Sequence, residues 1–539
     1  MEKPSQEDIL ARSAAGATLL IFGSLFTKIL TFVMNNVLFW YISPTAFGIH
    51  ILFEFTVSSA LYYSREGARL ACQRVSVKDK TDKLGGLSAH TSAVQSIINF
   101  GFIPIMMGVP ITWAFFTLQH KSIALEAKNL GWYHLCVKLN AMAIMVELLG
   151  EPCYLVNQFR LNFKKRAQYE SLAVVAKCVV TFVAVFYWHE GDGDENDNLA
   201  ILAFSAGQLV YSTVLTVLYV RDFTRKSSPF RFLPTKITGK GSYYFDSGIF
   251  NHWLSIFGQI VFKHFLTEGD KLITNLFCTL SQQGVYNLVN NYGSLLARLL
   301  LAPVEESFRL YLTRTLSHSH GSSLSNIQQA HRVLQLLLKA YTYFLVLVCL
   351  AGFSNSSFLL GLVTGKQWQA SEAADLLPYY LCYVPFLAFN GILEATFTSV
   401  ANPQGIAHHS VCMGVFSVAF FAMCYVFVQQ CAMGLYGFIL ANVANMLLRI
   451  AYCVWYERRY FRKFEIEMIP RFSAKMANGV FASVVAVLCQ WFLGVSTSVF
   501  GVAKSAVLCA ILAGYMAFLE RELVAEVVTP LVRGRRKGN

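Results

Sequence analysis

The chain has 539 residues, of which 55% are hydrophobic and only 14% charged, with a mean hydropathy of +0.48. Soluble domains carry about 25% charged residues, so a set of water-soluble domains is excluded; the apolar residues come in blocks of roughly 18–27, long enough to cross a hydrocarbon core of about 30 Å. The formal net charge of +13 lies mostly in short segments between those blocks, which reads as membrane orientation and not as a surface for nucleic acid.

In chain order, spans fall at roughly 14–40, 45–70, 93–118, 130–157, 169–188, 199–220, 248–280, 285–303, 333–352, 374–399, 408–428, 432–455, 476–494 and 497–519. The fold class is an all-α polytopic membrane protein of about fourteen transmembrane helices. The first block is too long for a signal-peptide core and lacks a clear cleavage site, so it reads as an uncleaved span. The seventh is interrupted by Thr267-Glu268-Gly269-Asp270-Lys271, as a kink or as a water-exposed break.

With the N-terminus in the cytosol, 30 of the 44 Lys and Arg fall in cytosolic segments, three (Lys121, Lys128, Lys366) in the opposite loops, and eleven within spans. This split is a positive-inside signal and puts both termini in the cytosol. The acidic loop from Glu190 to Asp197 and the N-x-S/T sequon at Asn355 then fall on the far side, which makes Asn355 a glycosylation candidate. The tail ends Arg536-Lys537-Gly538-Asn539, readable as a dibasic retrieval signal or as a basic patch touching anionic lipid.

A short motif recurs. Span two ends in Arg65-Glu66-Gly67-Ala68-Arg69 and span eight in Glu305-Glu306-Ser307-Phe308-Arg309, so Glu-x-x-Arg repeats at an offset of 240 residues (306 − 66). Six spans separate the copies, as in parallel repeats. The expected organisation is an N-terminal lobe at 1–220, a basic cytosolic linker at 221–247, a C-terminal lobe at 248–455, and two further spans with a basic tail at 456–539.

Ionisable residues inside spans cost about 2.5–3.5 kcal/mol each on insertion scales and so face cavities or partners. Here they include Lys28, Glu54, Arg65, Glu66, Arg69, Glu147, Glu151, Lys177, Lys263, Glu268, Asp270, Lys271, Arg298, Glu305, Glu306, Arg309, Glu394 and Arg449. Arg65, Arg69 and Arg309 either snorkel to the cytosolic surface or pair with Glu66, Glu305 and Glu306 as locks on helix ends. Cations are as frequent as carboxylates, which favours a phosphate-bearing ligand over cation–proton exchange.

Signals for catalysis are poor. Asp192-Gly193-Asp194 sits in a short acidic loop with no domain around it, His408 and His409 are adjacent rather than four apart, and no phosphate loop occurs. The thirteen cysteines include no CxxC pair and lie mostly in apolar blocks. They read as small hydrophobes, so neither a metal site nor a cofactor is expected.

The run from Ile9 to Thr18, then Leu25-Phe26-Thr27-Lys28, Asn35-Asn36, Ser43-Pro44, Phe47-Gly48 and Ser64 to Leu70, resembles the start of the eukaryotic oligosaccharide-translocation proteins of the endoplasmic reticulum, fungal members above all. Phe265 to Lys271 and Pro303 to Phe308 resemble two further segments of that family. The resemblance implies the multidrug/oligosaccharidyl-lipid/polysaccharide exporter fold, two six-helix lobes around a central cavity, and a role in N-linked glycosylation. The implied cargo is dolichol-diphosphate-linked Man5GlcNAc2, moved by rocking of the lobes, with contacts to the glycosylation machinery as further partners. On that reading Arg65, Arg69, Lys271, Arg298 and Arg449 are candidates for the diphosphate. Glu268, Asp270, Glu305 and Glu306 bond sugar hydroxyls or form gating pairs, with Glu66 and Arg309 in ion pairs. Two rivals stay open: an ion-coupled antiporter for small molecules, and a non-transporting accessory protein of glycosylation. A membrane glycosyltransferase is disfavoured, since no large lumenal domain exists.

Overall fold

The computed structural model describes residues 31–73, 89–123, 128, 130–160, 162–188, 194–225, 232–238, 242–316, 324–467 and 474–521. The chain divides into two compact units, Met1–Gly284 and Val285–Asn539.

In the first unit, α1 (Pro44–Gln73) follows helical residues 31–38, and α2 (Ala89–Phe100) leads into α3 (Phe102–Ser122). Helices α4 (Tyr133–Leu149) and α5 (Glu151–Phe159) meet at Gly150 with a bend of 41°. A pair of helices, α6 (Phe163–Trp188) and α7 (Asp194–Arg225), and then α8 (Ser247–Phe277) complete the set. Helix α1 is central: Ile49, Phe53, Val57 and Ala60 along its inner face are buried against residues of α3, α4 and α7. Close approach depends on two glycines. A side chain at Gly48 would run into the carbonyl of Leu280, and one at Gly284 into the carbonyl of Pro44.

The residues expected to form a basic linker are partly anchored. Asn99 of α2, fully buried, donates through Nδ2 to the carbonyls of Thr235 and Tyr244 at 2.7 Å each and accepts from the Thr235 amide at 3.1 Å. Between these points lies a two-stranded antiparallel hairpin, β1 (Ile237–Thr238) and β2 (Ser242–Tyr243), in which Ile237 faces Tyr243. Asp246 then caps α8 by accepting from the amides of Gly248 and Ile249.

Two features of α8 differ from the sequence reading. It runs unbroken through Thr267–Lys271. Lys271 pairs with Glu268 one turn back at 2.9 Å, so these charges are accommodated without a break in the helix. Furthermore, α8 packs on α1 in the first unit, whereas the sequence scheme opens the C-terminal lobe with it. The contact rests on Gly67, which leaves room for the Trp253 ring, and on His264, which lies 3.0 Å from Ser59 Oγ and stacks on Tyr62.

The unit boundary falls inside α9 (Leu280–Gly293), which leads by a π-helical turn (Ala297–Leu301) into α10 (Ala302–Leu316). The second unit continues with α11 (Leu324–Thr364), the short α12 (Lys366–Gln369), α13 (Glu372–Val400), α14 (Pro403–Cys424) with a π-helical end (Tyr425–Gln430), and α15 (Gly434–Arg462). Ser371 and Asn402 cap α13 and α14 through their side-chain oxygens. Its core joins Leu312, Leu334, Ile392, Phe397 and Phe461. The last helices, α16 (Ala474–Leu493) and α17 (Val499–Leu519), bury Ala486, Leu512 and Met516 against Leu350 of α11.

Eight helices among the described residues are long and apolar enough to cross a membrane, or nine if α4 and α5 form one span. The chain is therefore a multi-pass α-helical membrane protein, although this measure stops short of the fourteen spans expected. Helices α1 and α8 fall outside it; they carry Glu54, Arg65, Glu66 and Arg69, and Lys263, Glu268, Asp270 and Lys271. Much of the first expected span, with Lys28, lies outside the described residues.

Candidate functional site

Each copy of the Glu-x-x-Arg motif lies at the centre of a charged cluster. In the first unit, Arg65 and Arg69 stand one turn apart on α1, and Glu147 and Glu151 stand one turn apart across the bend of α4 and α5. Arg65 Nη1 donates to Glu147 Oε1 at 2.5 Å, and Ser212 of α7 donates to the other oxygen at 3.0 Å. Arg69 forms a fork on Glu151, with Nε to Oε1 at 2.6 Å and Nη2 to Oε2 at 2.9 Å, and its guanidinium lies 3.8 Å over the Tyr154 ring. The carboxylate side chains are 3% and 1% exposed, so this ladder is buried. It is a bidentate pair with an aromatic lid, which is how a low-dielectric interior holds charge.

In the second unit, Arg309 of α10 donates to Glu305 at 2.7 Å and to Glu306 at 3.2 Å, both on its own helix. These side chains are 39%, 29% and 59% exposed. Across from them, Asn390 of α13 donates to Glu394 at 3.2 Å. Glu394 shares an electrostatic neighbourhood with Glu305, with His409 and, through His409, with Arg449 of α15. The Nε groups of Arg309 and Arg449 have no hydrogen-bond partner in the structure. Arg298, in the π-helical turn, donates to the carbonyl and the side-chain oxygen of Asn291 at 2.7 and 2.8 Å.

The structure therefore sorts the candidate cations. The forks of Arg65 and Arg69 are engaged by carboxylates of their own unit, while Arg309 and Arg449 keep donors without partners. Glu66, expected beside Arg69, has no ion-pair partner among the described residues. Sequence reasoning noted Glu147 and Glu151 as charges in a span but did not join them to the arginines. A usable signal exists, since both pairs have a four-residue spacing and each bridge closes the same separation of 82 residues. The side chain of Asp270 lies outside the described residues, as does the loop from Glu190 to Gly193. Asn355 sits inside α11 and is 5% exposed. Its amide donates to Ser505 Oγ at 2.8 Å, and its oxygen accepts from Ser496 Oγ at 2.6 Å; a glycosylation acceptor belongs on an exposed loop. Among the described residues there is no group of three or more His, Cys, Asp or Glu that could hold a metal ion.

The helices define a class of multi-helix membrane transporter fold. They align with the solved inward closed conformation of the lipid II flippase MurJ at a TM-score of 0.63, over 94% of this chain and 100% of that one, at 14% identity. The profile of the Rft-1 family, described as Rft protein, matches residues 12–529, and the chain belongs to that family. It is 37% identical to the Man(5)GlcNAc(2)-PP-dolichol translocation protein RFT1 of Eremothecium gossypii, over 97% of both chains. Its identity to the protein of that name from Saccharomyces cerevisiae is 36%, over 91% of this chain and 90% of that one. The resemblance drawn from the N-terminal run and the two later segments thus extends along the chain.

Proposed function

We propose that this protein translocates dolichol-diphosphate-linked Man5GlcNAc2 across the endoplasmic reticulum membrane for N-linked glycosylation. The observation that carries the reading is the similarity, end to end, to relatives bearing that name. The chain acts as a carrier and not as an enzyme, with both termini in the cytosol, a reading the 30-to-3 distribution of Lys and Arg supports. Its partners are that lipid and the glycosylation machinery. The two units, Met1–Gly284 and Val285–Asn539, rock to alternate access for the headgroup, with α8 moving as part of the first and 456–539 as an addition to the second.

Each unit brings its own polar candidates. Arg449, whose Nε has no partner, and Arg298, which is bonded only to the neutral Asn291, bind diphosphate in the second unit, because a guanidinium matches phosphate oxygens. In the first, Lys271 is a further cation, with Glu268 and Asp270 as hydroxyl acceptors. Arg65 and Arg69 serve mainly to hold α1 in place, and Glu305, Glu306 and Arg309 form a gating cluster. The test is purified full-length protein in vesicles, assayed for leaflet transfer of the authentic lipid. Transfer well above protein-free vesicles is expected, and its absence sinks the reading.

A further inference from the structure

Within the first unit, helical residues 31–38 together with α1, α6 and α7 line a half-open cavity of about 390 Å³. This volume lies within the range of ligand sites, about 300–1,000 Å³, and has room for about one or two sugar rings. Its lining is polar for a membrane-spanning region: Asn35, His50, Glu54, Lys177, Gln208 and Tyr211 all contribute. Lys177 and Gln208 lie near the middle of membrane-length helices, where a polar group needs a partner or a hydrated cavity.

The side chains are held in place by one another. Lys177 donates to Gln208 Oε1 at 2.9 Å. His50 lies flat on Phe204, with ring centroids 3.8 Å apart and planes 11° apart, and its Nε2 stands 3.5 Å from Glu54. The Glu54 side chain nevertheless remains 50% exposed. The ammonium of Lys177 retains two more protons, and the Gln208 amide its NH2. The site thus offers acceptors and donors side by side, on planar groups.

Charge selects among ligands. A diphosphate would meet the Glu54 carboxylate, and a free cation would meet Lys177. One carboxylate and one ammonium roughly cancel. A neutral ligand rich in hydroxyls uses both, because each hydroxyl donates and accepts. We infer that this cavity is a saccharide subsite, taking one or two neutral sugar rings of the cargo apart from its diphosphate. The inference rests on the translocation reading for which glycan is bound, and it adds a place for the sugar that none of the arginine clusters supplies.

The test is titration of full-length protein in lipid nanodiscs with the Man5GlcNAc2 glycan released from its lipid, followed by calorimetry. Saturable binding is expected, undisturbed by excess inorganic pyrophosphate. The isosteric Glu54→Gln should weaken it at least tenfold, and Val174→Trp, which fills the cavity, should abolish it. Should Val174→Trp fail to fold, Glu54→Gln alone decides. The inference is overturned if wild-type protein binds no glycan, if Glu54→Gln binds it as tightly, or if pyrophosphate displaces it. Protein that moves the lipid-linked form in vesicles yet binds no free glycan removes this subsite and leaves the translocation reading. Protein that binds glycan in an Glu54-dependent way but transfers no lipid removes the translocation reading and leaves the subsite.

Discussion

The two copies of Glu-x-x-Arg have been put to different uses. In the first unit the arginines reach across to another helix and are neutralised by buried carboxylates. In the second, Arg309 pairs only along its own helix, at part-exposed positions. Carried along the chain, the 240-residue offset of the motif sets Glu151 against position 391 (151 + 240), which is glycine. A side chain at Gly391 would meet the Glu305 carboxylate. Where the first unit has a cross-helix acid for its arginine, the second has a gap filled by an acid from the arginine's own helix. One copy is thereby a buried lock across helices, and the other a part-exposed cluster along a single helix.

The largest test of that contrast removes one partner from the lock. Glu151→Ala leaves Arg69 buried and unpaired, and should cost about 3–5 kcal/mol, read as a loss of thermal stability in detergent. Replacing both Arg69 and Glu151 with apolar residues of similar volume should recover much of that loss. Next comes a test of the open side. Arg449→Gln should slow lipid transfer on the order of tenfold or more, the equivalent of a charge-assisted hydrogen bond of about 1.5–3 kcal/mol, while unfolding stays near wild type. If Arg449→Gln unfolds the protein and Glu151→Ala does not, the two roles are reversed.

Glycines sharpen the comparison further. Gly48→Val drives a branched side chain into backbone at Leu280 and should destabilise by about 1–3 kcal/mol. Gly391→Ala meets only the movable end of Glu305, so its cost should stay below about 1 kcal/mol. The smallest effect belongs to Glu306→Ala, which breaks an exposed pair on one helix worth about 0.3–0.5 kcal/mol. Equal stability losses for Glu306→Ala and Glu151→Ala, measured side by side, would erase the distinction between lock and open cluster.

Much was legible in the sequence because it depends on residues taken one at a time. The transfer of a side chain into lipid is a local quantity, so runs of apolar residues mark the membrane helices and the charges between them mark orientation. The Glu-x-x-Arg repeat and the family resemblance are likewise linear patterns. Pairing is not local. Arg65 meets Glu147, and Arg69 meets Glu151, only because α1 packs beside the bend at Gly150, and Gly67 reveals its purpose only when Trp253 lies against it. The saccharide cavity draws on residues from 31 to 211, four stretches whose side chains converge only in the folded unit. The sequence by itself determined that this is a multi-pass helical membrane protein of the Rft type and which charges lie within its spans. The tertiary structure decided which of those charges are neutralised and which remain available, because ion pairs form over a few ångströms of space whatever the distance along the chain.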